Sequence, residues 1–537
     1  MSARMTARRS LLLLAAACFA VAYGQAPLYH SNQNQYFLHG MAEAGVGQLR
    51  EDWLANTADP TPIFSSMVAI VQVTLPPPTF HVLHGLLVAG YVLALYRVFV
   101  RIVGDELGRE RAALFLLLLT LVHSALARWA SYRLLGQDYP WYFQAGVAGQ
   151  YLLGAMLQPS VFGVFLLVAV ALFADDRPWL ASLAIGVAAT VHTTYLLPGA
   201  LLTIGFLAQL LWERRPRQAI LFGGLTLLLV LPVTAYSLVK FGPTSPETFA
   251  EAQKILVNVR IPHHTRVDLW MDLIAKLQIA WIAVGIAALG RTRLCLPLAV
   301  AFGLGCVLTS LQVATGSTSL ALLFPWRISS VLMPIATAAI FARLVALPLP
   351  ILGSKSLQRT AAVGIALVAI AGGWIMIDRQ AFRGNDEEIG LRRYVRQTVQ
   401  SGDVYLLPVR IPDLVSSTHG SLSSDFKPPA AKRADARILP IDLQSFRLTT
   451  GAPIFVDFKA IPYRDVDVIE WRRRLDEAVA WQKALESGRK LDALAEMSRL
   501  GVTHIVEPAA HELHHPDLRL EYRDDAYLVY RLRLIQR

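Results

Sequence analysis

From Met1 to about Asp378 the chain alternates apolar stretches with short polar gaps, and about every second gap carries arginine. The arginine-bearing gaps hold Arg4, Arg8 and Arg9; Arg101, Arg109 and Arg111; Arg177; Arg214, Arg215 and Arg217; Arg291 and Arg293; and Arg343, Lys355 and Arg359. Positive residues are retained on the cytoplasmic side of a bilayer, so these gaps are expected inside the cell and the intervening ones outside. About eleven spans fit the pattern, centred near residues 18, 90, 121, 166, 186, 203, 229, 280, 303, 337 and 369. An odd count with a cytoplasmic N-terminus puts the C-terminus outside. The first apolar stretch, Leu11 to about Ala26, also reads as a signal peptide with Ala22-Tyr23-Gly24-Gln25-Ala26 as a loose cleavage site. Retention is expected, since a multi-span protein needs no cleavage to be inserted. Either outcome leaves Pro27 onward outside.

Periodicity changes at Asp378. Residues 1–377 read as the membrane domain, and residues 378–537, where charge is frequent and no stretch is long enough to span, as an extracytoplasmic α/β domain. Asn385–Val399 and Val466–Leu485 have helical patterns; Val404–Leu407, Ile454–Phe458 and Thr503–Val506 read as short strands; Leu518–Tyr522 and Tyr527–Leu532 read as a terminal hairpin. Ser416 to Ala436, rich in Ser, Lys, Pro and Ala, is expected to be a loop. Hydrophobic residues make up 54% of the chain and charged ones 17%, which excludes an ordinary water-soluble protein. The net charge of +11 is then a property of loops at anionic headgroups, and no basic stripe with interleaved aromatics suggests nucleic acid. The three cysteines fall within expected spans, so neither a disulfide framework nor a thiolate metal site is expected.

Two gaps are too long and polar to be connectors, and such loops carry function. The first, Pro27 to about Pro62, holds the pair Glu51 and Asp52, of which Asp52, next to apolar Trp53-Leu54, is the better candidate for burial in a cleft; a solvated turn or helix cap is the competing reading. The second, Phe241–Trp270, holds Arg260, His263, His264 and Arg266. Paired histidines flanked by arginines suit a phosphate or a proton transfer at the membrane surface, or one of them simply satisfies a loop carbonyl. Adjacent histidines without a third ligand do not suit a metal, and no metal or other cofactor is expected. Arg327, at the outer end of the tenth span, is either a headgroup anchor or a phosphate ligand. His192-Thr193-Thr194-Tyr195 marks the turn of a short hairpin, while His81, His84, Arg128, Arg133 and Asp138 are polar groups at or in spans, functional or helix-joining.

This layout resembles the GT-C class of membrane glycosyltransferases, which includes oligosaccharyltransferases, protein mannosyltransferases and aminoarabinose transferases. The segments Gln35-Tyr36-Phe37-Leu38, Glu51-Asp52-Trp53, Pro262-His263-His264, Pro325-Trp326-Arg327 and Phe446 to Pro453, with Val456-Asp457-Phe458-Lys459 and Trp471, are similar to an uncharacterised bacterial family of GT-C-like proteins. The resemblance implies a bacterial inner-membrane enzyme that moves a sugar, with inversion, from a polyprenyl-phosphate-linked donor to an acceptor at the outer face. It implies Asp52, with Glu51 beside it, as the catalytic carboxylate, and Arg327, Arg260, His263 and His264 as ligands of the lipid phosphate. Where many GT-C enzymes have an Asp-Glu pair after the first span, this chain has Asn32-Gln33-Asn34-Gln35. The alternative is a non-catalytic envelope protein, either a lipid-glycan carrier or a scaffold. A transporter would show matching Pro-broken spans in two halves, and Pro198, Pro232, Pro297 and Pro334 show no such symmetry.

Overall fold

The computed structural model describes residues 3–104, 108–382, 385–411, 443–487 and 490–533. Each expected span centre lies in a helix: Ala3–Tyr23, Thr79–Val103, Gly108–His123, Val164–Ala174, Pro178–Val191, Leu196–Trp212, Pro216–Phe241, Leu273–Leu289, Cys295–Thr315, Ser329–Val345 and Lys355–Ile377. The protein is thus a mostly helical, multi-pass membrane protein. Side chains such as Leu227, Leu228, Leu238 and Val239 on one helix and Leu367, Ile370 and Ile377 on another stay exposed, an outer surface suited to lipid rather than water. The count of eleven, however, is not established. Among the described residues six helices are long and apolar enough to cross a bilayer by themselves, and Gly108–His123 with Ala125–Leu135, bent by 49°, makes a seventh if counted as one broken span. Ser10–Tyr23, Pro159–Ala174, Pro178–Val191 and Leu273–Leu289 are shorter, and Pro62–Thr74 is a further short apolar helix that the hydropathy pattern did not single out. Hydropathy counts apolar residues but not where the backbone breaks, and prolines start several of these pieces.

The two ends of the helical bundle differ in how their charges are satisfied. At one end the arginine-bearing gaps are tied to one another: Arg97 and Arg101 each reach Asp175 at 2.6 Å, Arg293 reaches Asp176 and Glu213 at 2.7 Å, and Arg215 reaches Asp176 at 2.7 Å. At the other end, reached from Arg215 along the 26-residue helix Pro216–Phe241, roughly 39 Å long at 1.5 Å per residue, the two long loops meet the C-terminal tail. There Thr244 donates to Asp465 through its N–H and its hydroxyl, both at 2.7 Å, and Glu51 accepts from the Ser401 hydroxyl at 2.6 Å and the Gly402 N–H at 2.7 Å. Both long loops and the tail therefore share one face, opposite the arginine face.

The tail carries a four-stranded sheet. β1 (Tyr405–Leu406) runs parallel to β2 (His504–Pro508), and β2 and β3 (Leu518–Arg523) both pair antiparallel with β4 (Tyr527–Leu532), giving the order β1-β2-β4-β3. Helices Glu388–Thr398 and Asp465–Glu486 fall where their periodicity put them. Ile454–Phe458 is not a strand: only Ile454 bridges to Tyr405, because the backbone here turns toward the first long loop. The expected Ser416–Ala436 loop lies wholly within 412–442, outside the described residues. The tail's core, built on Trp471, Leu475, Trp481, Phe455 and Ile505, is completed by Trp53, Ile255, Leu256 and Val259 from the two long loops.

This arrangement predicts one-sided labelling. In a chain with Cys18, Cys295 and Cys306 replaced by serine, cysteines at exposed Glu247 and Arg464 should react with an impermeant maleimide added to intact cells, whereas one at exposed Arg291 should react only after permeabilisation. Labelling of Arg464→Cys and Arg291→Cys from the same side would overturn it.

Candidate functional site

The acidic pair of the first loop is engaged with the tail. A short helical turn, Leu49–Glu51, ends at Asp52, whose extended backbone turns its carboxylate inward. Asp52 is 0% exposed. Its Oδ1 accepts from the N–H of Leu54 at 2.9 Å and of Ala55 at 3.4 Å; its Oδ2 accepts from the N–H of Ile454 at 3.1 Å and pairs with Arg447 Nε at 3.0 Å. Arg447 also lies 3.5 Å from Asp457. Beside this pair Gly47 and Gly451 meet backbone to backbone, both at positive φ, and a Cβ on Gly47 would come within 2.6 Å of the Gly451 carbonyl oxygen. Asp52 thus faces neither water nor an open cleft. Glu51 is exposed and caps the Ser401-Gly402 turn, which holds its carboxyl below the usual range.

The basic residues of the second loop converge instead. Helix Pro246–Ile255 continues through one π-helical turn, Leu256–Arg260, closed by the Ile261 N–H on the Leu256 carbonyl at 2.9 Å, and this extra residue per turn swings Arg260 under the tail. Arg260 donates to the Lys459 carbonyl and lies 5.5 Å over the Phe458 ring. Pro262 starts the next short helix, which sets the His263 and His264 rings 4.0 Å apart and tilted at 49°. From the other side comes Arg327, on a turn whose first residue, Phe324, sits at φ 52, unusual for a side chain of that size. The Arg327 guanidinium lies 5.5 Å from the Tyr195 ring and 5.7 Å from that of Phe324, and Phe324 stands 6.3 Å from His264. His192, at the break between Pro178–Val191 and Thr193–Tyr195, completes the ring, 5.6 Å from Tyr195 and 5.7 Å from Tyr36.

Electrostatically the cluster is cationic with neutral histidines. Burial pushes His264 down to about 3, helped by Arg327, Arg260 and Lys459; burial, then His264, Arg260 and Lys459, hold His263 well below its usual value. His264 Nδ1 donates to the Ala148 carbonyl at 2.6 Å, so its proton is committed there. By contrast Nε of Arg260, Nε of Arg327, Nδ1 of His192 and Nδ1 of His263 are buried without a hydrogen-bond partner, and among the described residues no carboxylate pairs with either arginine. Neutral hydroxyls line the approach. Tyr463 accepts from Gln35 Nε2 at 2.7 Å, and Tyr151 accepts from Gln158 Nε2 at 3.2 Å.

Of the expected site residues, the structure brings Arg327, Arg260, His263 and His264 together and places Asp52 and Glu51 in the loop–tail contact. His192, Tyr195, Tyr36, Lys459 and Tyr463 join the cluster without having been singled out as ligands. The histidine and tyrosine of the 192–195 turn were visible as polar groups at a break, but nothing in the sequence says which neighbour they face. Missed too was His39, which with Gln35, Tyr36, Thr57 and Pro60 lines a crevice between the first loop and Ile461-Pro462 of the tail. Burial lowers His39, and the nearby Asp59 carboxylate and the Ala55 backbone oppose that shift. Among the other polar groups named from sequence, Arg128 pairs with Asp138 at 2.7 Å, both buried, His84 bonds the Gly154 carbonyl at 2.9 Å, and Arg133 is exposed. Among the described residues no group of three metal-ligating side chains exists.

Fold and site together define a multi-pass membrane protein with a buried cluster of cations and histidines where two long loops meet a C-terminal tail. Residues 430–478 match the model of a domain of unknown function, DUF6798, a segment that includes Arg447, Asp457, Lys459 and Trp471. No curated protein matches the chain. Its fold is similar over 99% of its length to two structures of ArnT from Cupriavidus metallidurans, each covered over 98%: one bound to undecaprenyl phosphate, at 13% identity and a TM-score of 0.41, and one in the apo state, at 14% and 0.42. At those values neither likeness says which residues do chemistry here.

Breaking the buried pair should loosen the loop–tail contact. Asp52→Asn and Arg447→Met are each expected to cost about 3 kcal/mol or more, because each leaves one charge or dipole buried unpaired, whereas the double variant should cost less than their sum. Thermal unfolding of the purified protein, with proteolysis of the tail as a second readout, measures this. Additive losses would show that the two side chains do not act as a pair.

Proposed function

We propose that this chain transfers a sugar from a polyprenyl-phosphate-linked donor to an acceptor at the membrane face that carries the long loops and the tail. One observation carries the reading: Arg260, in the second long loop, and Arg327, on the turn before helix Ser329–Val345, have no carboxylate partner among the described residues and leave buried N–H groups unused, beside His192 and His263 nitrogens in the same state. A buried donor without an acceptor costs about 1–3 kcal/mol, more when charged, so such a set is completed by an anion with several oxygens. A phosphate on a lipid arrives at this depth.

In the proposed reaction an acceptor hydroxyl oxygen attacks the anomeric carbon, the bond from that carbon to the phosphate oxygen breaks, and the lipid phosphate leaves with the electron pair. Its charge grows as it departs, and Arg260 and Arg327 stabilise that growth. His263 contributes a neutral donor. His264, its proton held by Ala148, positions the adjacent His263 ring. The hydroxyl proton goes to a base, and His39 is the first-loop group that lines an open crevice, next to Tyr36, which reaches the phosphate cluster through His192. Held neutral by burial, the ring keeps one nitrogen as an acceptor. Asp52 is then a positioning residue: it organises the 52–55 turn, whose Leu54 lines the same crevice as His39, with Glu51 holding the adjacent tail turn. The occupied oxygens of Asp52 argue against its taking the proton itself.

Purified protein in nanodiscs should bind a short-chain polyprenyl phosphate, and Arg327→Ala or Arg260→Ala should weaken that binding by about 10- to 100-fold, the worth of one or two charge-assisted hydrogen bonds. Wild-type binding no tighter than that of the uncharged polyprenol would sink the reading. Transfer should also show an acidic limb below the ordinary histidine range, since His39 is held down by burial. Asp59→Asn removes the charge that opposes this and should move the limb to still lower pH; an unmoved limb assigns the proton elsewhere.

A further inference from the structure

Beside the cation cluster runs a groove. It is lined by Trp141, Tyr142, Gln137, Trp270, Asp272 and His263, with Ala148 and Gly149 at the end nearest His264. Three aromatic side chains, a carboxamide and a carboxylate facing one groove are an unusual wall for a lipid tail, which offers nothing to their polar atoms. Nε1 of Trp141, Nε1 of Trp270 and Nδ1 of His263 are all buried without a hydrogen-bond partner, and both indoles are over nine-tenths buried. The wall is braced from behind. The Arg128 guanidinium lies 4.4 Å from the Trp141 ring and is fixed by its pair with Asp138, Gln278 donates to the carbonyls of Tyr142 at 3.1 Å and Ala145 at 2.7 Å, and Trp270 packs edge-on to Trp326 at 6.0 Å, one residue from Arg327. A ligand here needs flat C–H faces to lie on aromatic rings and hydroxyls to meet indole N–H, carboxamide and carboxylate. That is the chemistry of a pyranose.

We propose that this groove is the headgroup subsite, which holds the sugar of the lipid-linked donor while Arg260 and Arg327 hold its phosphate. The proposal rests on the phosphate reading given above, and His263 is the hinge between the two, lining the groove while its ring lies 4.0 Å from that of His264. The braced Trp141 and Trp270 fix the ring plane, and the half-buried Tyr142 with exposed Gln137 close over it from the mouth.

The test compares binding of three probes to the full chain in nanodiscs: a short-chain polyprenyl phosphate, its hexosyl form and its pentosyl form. At least one glycosylated form should bind about tenfold tighter than the bare phosphate, or about 1.4 kcal/mol. Tyr142→Ala and, separately, Trp270→Phe, which keeps the packing against Trp326 but removes the N–H, should reduce that preference to about twofold or less while bare-phosphate affinity stays at its wild-type value. If bare phosphate binds but neither glycosylated form binds tighter, or if both variants keep the full preference, the subsite is overturned and the phosphate site stands. Loss of bare-phosphate binding in wild type overturns both. A variant that unfolds, seen as a lowered Tm, is replaced by Gln137→Ala at the exposed mouth, where a full retained preference counts against the subsite.

Discussion

The buried contact between Asp52 and Arg447 is the constraint on which the loop face depends. Both side chains are nearly inaccessible, and the two carboxylate oxygens tie three chain segments together: the turn at Leu54-Ala55, the Arg447 helix and the extended residues at Ile454. Such a pair gains little net energy over a well-packed apolar contact, but removing one partner is expensive, so its effect is to enforce one arrangement. Gly47 against Gly451 enforces it again by close approach of the backbones. Because Lys459, Phe458 and Tyr463 follow directly on Ile454, the same contact sets where the tail meets Arg260.

Arginine is used in opposite ways at the two ends of the bundle. On the arginine face Asp175, Asp176 and Glu213 each hold at least one guanidinium, partly in solvent, where an ion pair contributes little and serves mainly to keep short gaps in register. On the loop face Arg260 and Arg327 are set among aromatic rings and neutral histidines, without acids. Low dielectric strengthens any charge interaction made there, and the histidines, held neutral by burial and by these same arginines, add hydrogen-bonding capacity without further repulsion. An arginine that needs only to anchor a helix would gain nothing from such surroundings.

Much of the architecture was legible from sequence because it rests on one-dimensional signals. Hydropathy located every apolar helix that was expected, and arginine alternation separated the two faces; period-two patterns gave the terminal hairpin. Span count was less legible, since breaks such as that at Ser124, or the starts at Pro159 and Pro178, depend on capping and packing rather than apolar content. The second-loop cations and Arg327 could be picked out as candidate phosphate ligands because arginine at a membrane end invites that question. Asp52 could not be placed, because its partner Arg447 lies 395 residues further along the chain and no local pattern announces it. His39 had the same difficulty in reverse: a lone histidine in an apolar helix has no signal until the crevice around it is seen.

The loop–tail contact also explains why a tail of this size is attached to a membrane bundle at all. The residues that complete the cluster from the tail, Lys459 and Tyr463, belong to an irregular stretch between Arg447 and the long helix Asp465–Glu486, a segment that has no regular hydrogen bonding of its own. It is held at one end by Asp52 and at the other by Asp465, which accepts twice from Thr244 of the second loop. An irregular strap fixed at both ends beside a basic cluster gives polar backbone groups a fixed place near the ends of the helices, which neither a lipid-facing helix nor a free loop would provide. The apolar residues that pack against the tail core from the two long loops, Trp53, Ile255 and Leu256, join the strap's surroundings to the same core.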